Sequence, residues 1–545
     1  MLSKSLNKLL LVFCIIFPVL LIVSPNFSYV IIFEDAVLTK AVGRLLYFTA
    51  LFLIPIVFFY KNVRFYFYLI SPLLLTSIFV NYLYIYIKAG ISLQIFSLLL
   101  NTNKQESKEF LTNIPIYYAF LSLIAIVIYF LCIKKIPKIL SFKSASIVTT
   151  GCLVVFFSFP LVRFGFHDYS NSLTESTIHF YPFNIYKRGK DALIIRKSLD
   201  DFNIKTKNFS FNAHKKTIAG KEIYILVIGE TSRRDHWGIY GYNRNTSPLM
   251  KERNLIIYSD AISSGFCTNF AVPIMLTRAT ATNFLLHTKE KGVVHAFKEA
   301  AFATYWINAQ YGGGDIDIHA KEADNYLTTT IKYEEELPPI LSDLLRKEKK
   351  DKIFIIFHTS GSHWRYDLRY PDAFNVFKPS IKDEFAVSTD MSKRDVLINS
   401  YDNSILYTDF VLNKLINVLD SQKVISSLVF ISDHGENLLD DERGFSSHAQ
   451  ATKYTAEIPL FIWTSDSYKK TYPKKIEFLN QNKDCQVSTE NIFYSMLNLA
   501  DITIKDGYSF KSFADSSFKE AKERFIITES VIKSYNDIKK KHHSY

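Results

Sequence analysis

The chain has 545 residues, 48% of them hydrophobic, and a formal net charge of +12. That length is too great for one ordinary domain, and five cysteines are too few for a disulfide-stapled scaffold. No nucleic-acid motif accompanies the basic balance, so attraction to an anionic membrane surface is the simpler explanation and no nucleic-acid partner is expected.

The apolar mass is concentrated at the start of the chain. Five runs, near residues 8–25, 45–60, 65–87, 114–133 and 146–163, approach the roughly 20 residues that a helical span needs. Lys4 and Lys8 precede the first run as in a signal peptide, but no small-residue cleavage pattern follows, so the run is read as an anchor. Lys4 and Lys8, then Lys61 and Arg64, then Lys134, Lys135, Lys138 and Lys143 fall on one side, which the positive-inside rule makes cytoplasmic. Five spans then leave everything after residue 163 on the outside. The expected organisation is a five-helix membrane domain (1–163), an interfacial linker (164–220) and an extracytoplasmic domain (221–545). One outer loop, "SLLLNTNKQESKEFLTN" (97–113), carries Thr102 and Glu106 four residues apart, facing one way if helical and otherwise ordinary solvated groups.

The linker "HFYPFNIYKRGKD" mixes aromatic and basic residues, as suits a segment along the headgroups. Beyond it, short apolar runs alternate with helical stretches, the pattern of an α/β domain with a mostly parallel sheet. Strands are predicted at 223–229, 255–261, 303–310, 352–358, 427–432 and 458–463. Helical periodicity is clearest over 401–419.

Ligands of open α/β sheets gather outside the carboxyl ends of the strands. Here "IYILVIGE" ends in Glu230, "KIFIIFHTSGSH" carries His358 and His363, and "LVFISDHGE" carries Asp433 and His434; His448 follows in "GFSSHAQ". Singly, each is commonly a turn or a structural hydrogen bond. Together they form a mixed oxygen and nitrogen donor set suited to zinc, with manganese possible. In "AISSGFCTNFAVPIMLTRAT", Thr268 stands at the start of a predicted helix, where threonine is a favoured cap and where free N–H groups attract an anion. A metal or a base would make its hydroxyl a nucleophile.

These segments, with "VIGETSRRDHWGIYGYNRNTSP", "HTSGSHWRYDLRYP", "YDNSILYTDFVLNKLI" and "SSHAQATKYTAEIPLFIW", resemble the membrane phosphoethanolamine transferases of the alkaline-phosphatase superfamily, which have a sulfatase-like catalytic domain. The resemblance runs over nearly the whole chain. It implies a zinc ion held by Glu230, Thr268, Asp433 and His434, with Thr268 as nucleophile. His363 and His448 match positions that contact the phosphoryl group or a second zinc, and Thr102 and Glu106 match a segment lining the lipid-substrate pocket. Leu98 stands where the family often has Asn. Cys267 stands where it commonly has Gly before the nucleophile, which leaves Ser264 as a second candidate.

The activity so implied transfers phosphoethanolamine from phosphatidylethanolamine to lipid A or a core sugar, through a phospho-threonine intermediate, at a bacterial inner membrane with the catalytic domain in the periplasm. Two other readings stay open: a glycerophosphate transferase of the same superfamily, and a non-catalytic membrane receptor.

Overall fold

The computed structural model of the chain describes residues 2–33, 38–88, 90–91, 95–96, 114–164, 177, 180–215, 220–310, 317–329, 331–386, 388–448, 450–508, 510–528 and 532–541. The chain divides into two compact units, with the boundary between Leu193 and Ile194.

The first unit is helical. It comprises α1 (Leu2–Phe33), α2 (Leu38–Leu53), α3 (Val63–Ile70), α4 (Pro72–Tyr82), α5 (Ile116–Lys135), α6 (Phe142–Phe164) and the start of α7 (Phe183–Asp200). α1 packs on α2, α4 and α5, and α2 packs on α6. Among the described residues, four helices are long and apolar enough to cross a membrane. α3 with α4 and its continuation to Ile87 makes a fifth if that bent pair is one span. The bend of 40° falls at Pro72, whose missing N–H interrupts the hydrogen-bond ladder. The five apolar runs of the sequence thus correspond to four continuous helices and one broken one.

The second unit is built on a seven-stranded sheet of β1 (Glu222–Gly229), β2 (Leu255–Ile257), β3 (Ala303–Asn308), β4 (Asn325–Thr328), β5 (Lys352–His358), β6 (Ile425–Ser432) and β7 (Leu460–Thr464). Their order is β2-β7-β6-β1-β5-β3-β4. The pairs β6–β1, β1–β5, β5–β3 and β3–β4 are parallel, while β7 runs antiparallel to both its neighbours.

β1 is buried throughout because both faces of the sheet are covered. Ile223, Ile225 and Val227 face one core with α9 (Arg394–Ser421); Tyr224, Leu226 and Ile228 face another with α8 (Thr268–Leu276). Two expectations need correction. The run 255–261 is not one strand: Asp260–Ile262 leaves the main sheet to pair with Gln486–Ser488. The edge strand β4 was not anticipated, since "NYLT" at an edge buries too little to show an apolar run. Cys267 and Cys485 are both free thiols.

Candidate active site

Sheet order creates the site. β1 lies between β5 and β6 in parallel register, with Ile228 opposite His358 and Gly229 opposite Ser432. The residues leaving β1 and β6, Glu230 and Asp433, therefore emerge side by side. The exit is tightly tied: Asp433 N–H donates to Gly229 O at 2.9 Å and Ser362 N–H to Glu230 O at 3.0 Å. Gly361, at φ +43°, passes so close to Glu230 that a Cβ would stand 2.8 Å from its carbonyl oxygen, which only glycine tolerates. Thr268 is the first residue of α8, after an extended Cys267.

Thr268 Oγ1 lies 3.2 Å from Glu230 Oε2 and 3.2 Å from His434 Nε2. His434 Nε2 is 3.4 Å from Glu230 Oε1 and 3.3 Å from Asp433 Oδ2. Ligand atoms of Glu230, Asp433 and His434 all fall within 4.8 Å of one another, and the three residues are buried. His434 Nδ1–H donates to Gly435 O at 2.8 Å, so Nε2 presents its lone pair to the carboxylates. Burial, reinforced by His448, lowers His434 to about 4 and keeps it neutral. Burial raises the Asp433 carboxyl to about 6, against the opposing N–H of Thr231. Among the described residues Asp433 Oδ2 has no hydrogen-bond partner, and no lysine or arginine pairs with Glu230 or Asp433. Two buried carboxylates, a neutral imidazole and a hydroxyl make a donor set that fits a zinc ion.

The other expected residues distribute as follows. His448 packs against His434 with ring centres 4.4 Å apart and planes tilted by 47°. His363 Nδ1–H donates to Trp364 O at 2.6 Å, and burial lowers its ring to about 4. His358 is buried against the edge of Trp306 and lies outside the four-residue group. Ser264 is fully buried, with no hydrogen bond from its hydroxyl to any member of that group. Thr102 and Glu106 lie outside the described residues.

Several supporting residues were missed. Gln310 Nε2 donates to Glu230 Oε2 at 2.6 Å, and Thr231 Oγ1 to Glu230 Oε1 at 2.6 Å. Arg233, 2% exposed, pairs with Asp235 at 2.7 Å and Asp440 at 2.8 Å, bridging the segments that follow β1 and β6. Glu436 is buried, its carboxyl 3.8 Å from His448 Nδ1. Glu436 stands in the same "SDHGE" run, and Thr231 and Arg233 stand in "VIGETSRRDHWGIYGYNRNTSP", but none of their partners could be read from the chain.

Comparison with known proteins agrees with this fold. The family model described as Sulfatase matches residues 222–502. "Phosphoethanolamine transferase EptA" of Escherichia coli (strain K12) is 30% identical over 303 residues, covering 52% of this chain and 54% of that protein. The chain spans about half the length of the curated relatives it matches. Among solved structures, the integral membrane protein lipooligosaccharide phosphoethanolamine transferase A (EptA) from Neisseria meningitidis has the same fold. It covers 94% of this chain and 96% of its own at TM-score 0.70 and 20% identity. The C-terminal periplasmic domain of EcEptC from Escherichia coli, a complex with Zn, covers 60% of this chain and 95% of its own at TM-score 0.53 and 24% identity.

Proposed function

The chain belongs to the sulfatase family, and from that premise we propose that it is a membrane-anchored phosphoethanolamine transferase. Its donor is phosphatidylethanolamine and its acceptor lipid A or a core sugar of an outer glycolipid. The observation that carries the reading is the approach of Thr268 Oγ1 to Glu230 and His434, 3.2 Å from each, at the carboxyl edge of the sheet. Relatives named phosphoethanolamine transferase EptA and Kdo(2)-lipid A phosphoethanolamine 7''-transferase support the group transferred.

Glu230, Asp433, His434 and Thr268 would hold zinc, which when bound supplies Lewis-acid stabilisation of the deprotonated hydroxyl. The first step forms a bond from Thr268 Oγ1 to phosphorus and breaks the bond to the diacylglycerol oxygen, which takes up a proton as diacylglycerol leaves. In the second, an oxygen of the acceptor attacks phosphorus, the Thr268–phosphorus bond breaks, and Thr268 regains its proton. His448 offsets charge on the phosphoryl oxygens, and His363, its one proton held by Trp364 O, lines the phosphoryl site as a neutral ring. Both substrates are lipids, so anchoring the catalyst to the membrane removes much of the entropic cost of encounter. The same reading puts the domain in the periplasm, outside an inner membrane whose cytoplasmic face carries the basic loops.

The test is Thr268→Ala in the full chain, with mass spectrometry of the intact protein and of lipopolysaccharide. Transfer should fall by a factor on the order of 10⁴ or more, as for removal of a nucleophile, and a Thr268 adduct of phosphoethanolamine mass should be found only in the parent. Unchanged transfer would refute the assignment, and an adduct of glycerophosphate mass would refute the donor.

A further inference from the structure

The second unit buries another pair of imidazoles that the proposed chemistry does not use. His287 lies in the turn Phe284–Thr288 after α8, and His319 in the short helix Asp317–Ala320 after β3. They are 1% and 0% exposed, and their ring centres are 5.9 Å apart with planes inclined at 59°. His319 Nδ1 is 3.0 Å from Glu322 Oε1, so that nitrogen carries the proton and donates it to the carboxylate. Glu322 is held in turn by the Gly292 N–H, 3.1 and 2.9 Å from its two oxygens. His319 Nε2 is thereby left as a bare lone pair.

Among the described residues that lone pair has no hydrogen-bond partner, and neither ring nitrogen of His287 has one. Leaving a buried polar atom unsatisfied opposes folding, and here three ring nitrogens share one locality. Aromatic rings wall the pair: the Phe284 ring lies 4.5 Å from that of His287, and the Phe202 ring stands edgewise to His319 at 5.3 Å. Two imidazoles bound to one ion at about 2.1 Å place their ring centres roughly 5–6 Å apart, and the observed separation matches. A carboxylate on the far nitrogen is also what commonly orients a ligating histidine.

We propose that His287 and His319 bind a second transition-metal ion of the zinc and copper class, separate from the Glu230–Asp433–His434 site, with Glu322 setting the ligating tautomer. Water completes the coordination shell, since imidazole nitrogens suit these ions but two do not fill their sphere. The ion ties the turn that follows the nucleophile helix to the segment that follows β3, so its role is structural. The proposal stands whether or not the chain transfers phosphoethanolamine.

The experiment measures zinc bound per chain, after zinc loading and desalting, in the detergent-solubilised full-length protein. His287→Phe preserves ring volume and removes both nitrogens; it should lose an equivalent of zinc relative to the parent and keep transfer activity. The double variant Asp433→Asn/His434→Ala should keep that equivalent, and its melting temperature should rise with zinc and fall with chelator. Glu322→Gln should bind zinc about 10–100-fold more weakly than the parent. Unchanged zinc content in His287→Phe would overturn the proposal, as for a cavity that holds only water. So would a double variant indifferent to zinc, which decides the matter even if His287→Phe fails to fold.

Discussion

Replacing Asp433 by Asn should stabilise the metal-free protein while destroying its zinc site. Asp433 Oδ1 accepts from the Thr231 N–H at 3.1 Å and the His434 N–H at 2.7 Å, and Asn keeps both bonds. Oδ2 has no hydrogen-bond partner among the described residues and faces His434 Nε2 at 3.3 Å. An amide NH2 in its place can donate to that lone pair. Burial raises the carboxyl from 3.8 to about 6, so its ionisation opposes folding. The stability tied to this group is fully present below the ordinary carboxyl value and is lost as pH rises through about 6. At about 1.36 kcal/mol per unit, the ionised form costs roughly 3 kcal/mol once pH is well above 6. Thermal or urea unfolding of chelator-treated Asp433→Asn should therefore show a gain of about 3 kcal/mol over the parent near pH 8, vanishing near pH 4. Zinc content should fall by one equivalent relative to the parent. The reasoning is refuted if the variant is no more stable than the parent near pH 8, or if the difference between them does not change with pH.

Gly435→Ala should be severe, because a Cβ there would stand 2.1 Å from the Tyr454 carbonyl oxygen, which is backbone and cannot rotate away. A loss at or above the top of the overpacking range of about 1–3 kcal/mol is expected in unfolding, with reduced transfer because Gly435 O holds the His434 ring. Arg233→Ala leaves Asp235 and Asp440 without their shared partner; unfolding should show a loss of about 3–5 kcal/mol, and unchanged stability would refute the bridging role. Gln310→Ala removes the amide that holds Glu230, so a zinc titration should show affinity about 10–100-fold lower with little change in melting temperature.

Much of the architecture was legible in the chain. The strand periods at 223–229 and 352–358 reappear with ends within a residue or two, because a strand buried on both faces must be continuously apolar. The helix expected over 401–419 proved longer, Arg394–Ser421, since buried polar residues such as Asn399, Asp402 and Asn403 interrupt its apolar pattern while bonding to neighbouring segments. α3 and α4 read as one span because hydropathy counts residues and does not register the bend at Pro72.

The candidate site divides along the same line. Local sequence was enough to mark Glu230, Asp433 and His434, because an apolar strand that ends in an acid or imidazole places that group at a sheet edge. It also marked Thr268, because a hydroxyl residue between a strand and an apolar helix stands at the helix start. Tertiary structure alone decided that β1 lies between β5 and β6, that α8 points its first residue at Glu230, that Gln310 holds Glu230, and that Arg233 bridges the segments after β1 and β6. The physical reason is range. Periodicity and capping are set by neighbours a few residues away, whereas strand order and side-chain convergence depend on contacts between residues as distant as Thr231 and Asp433.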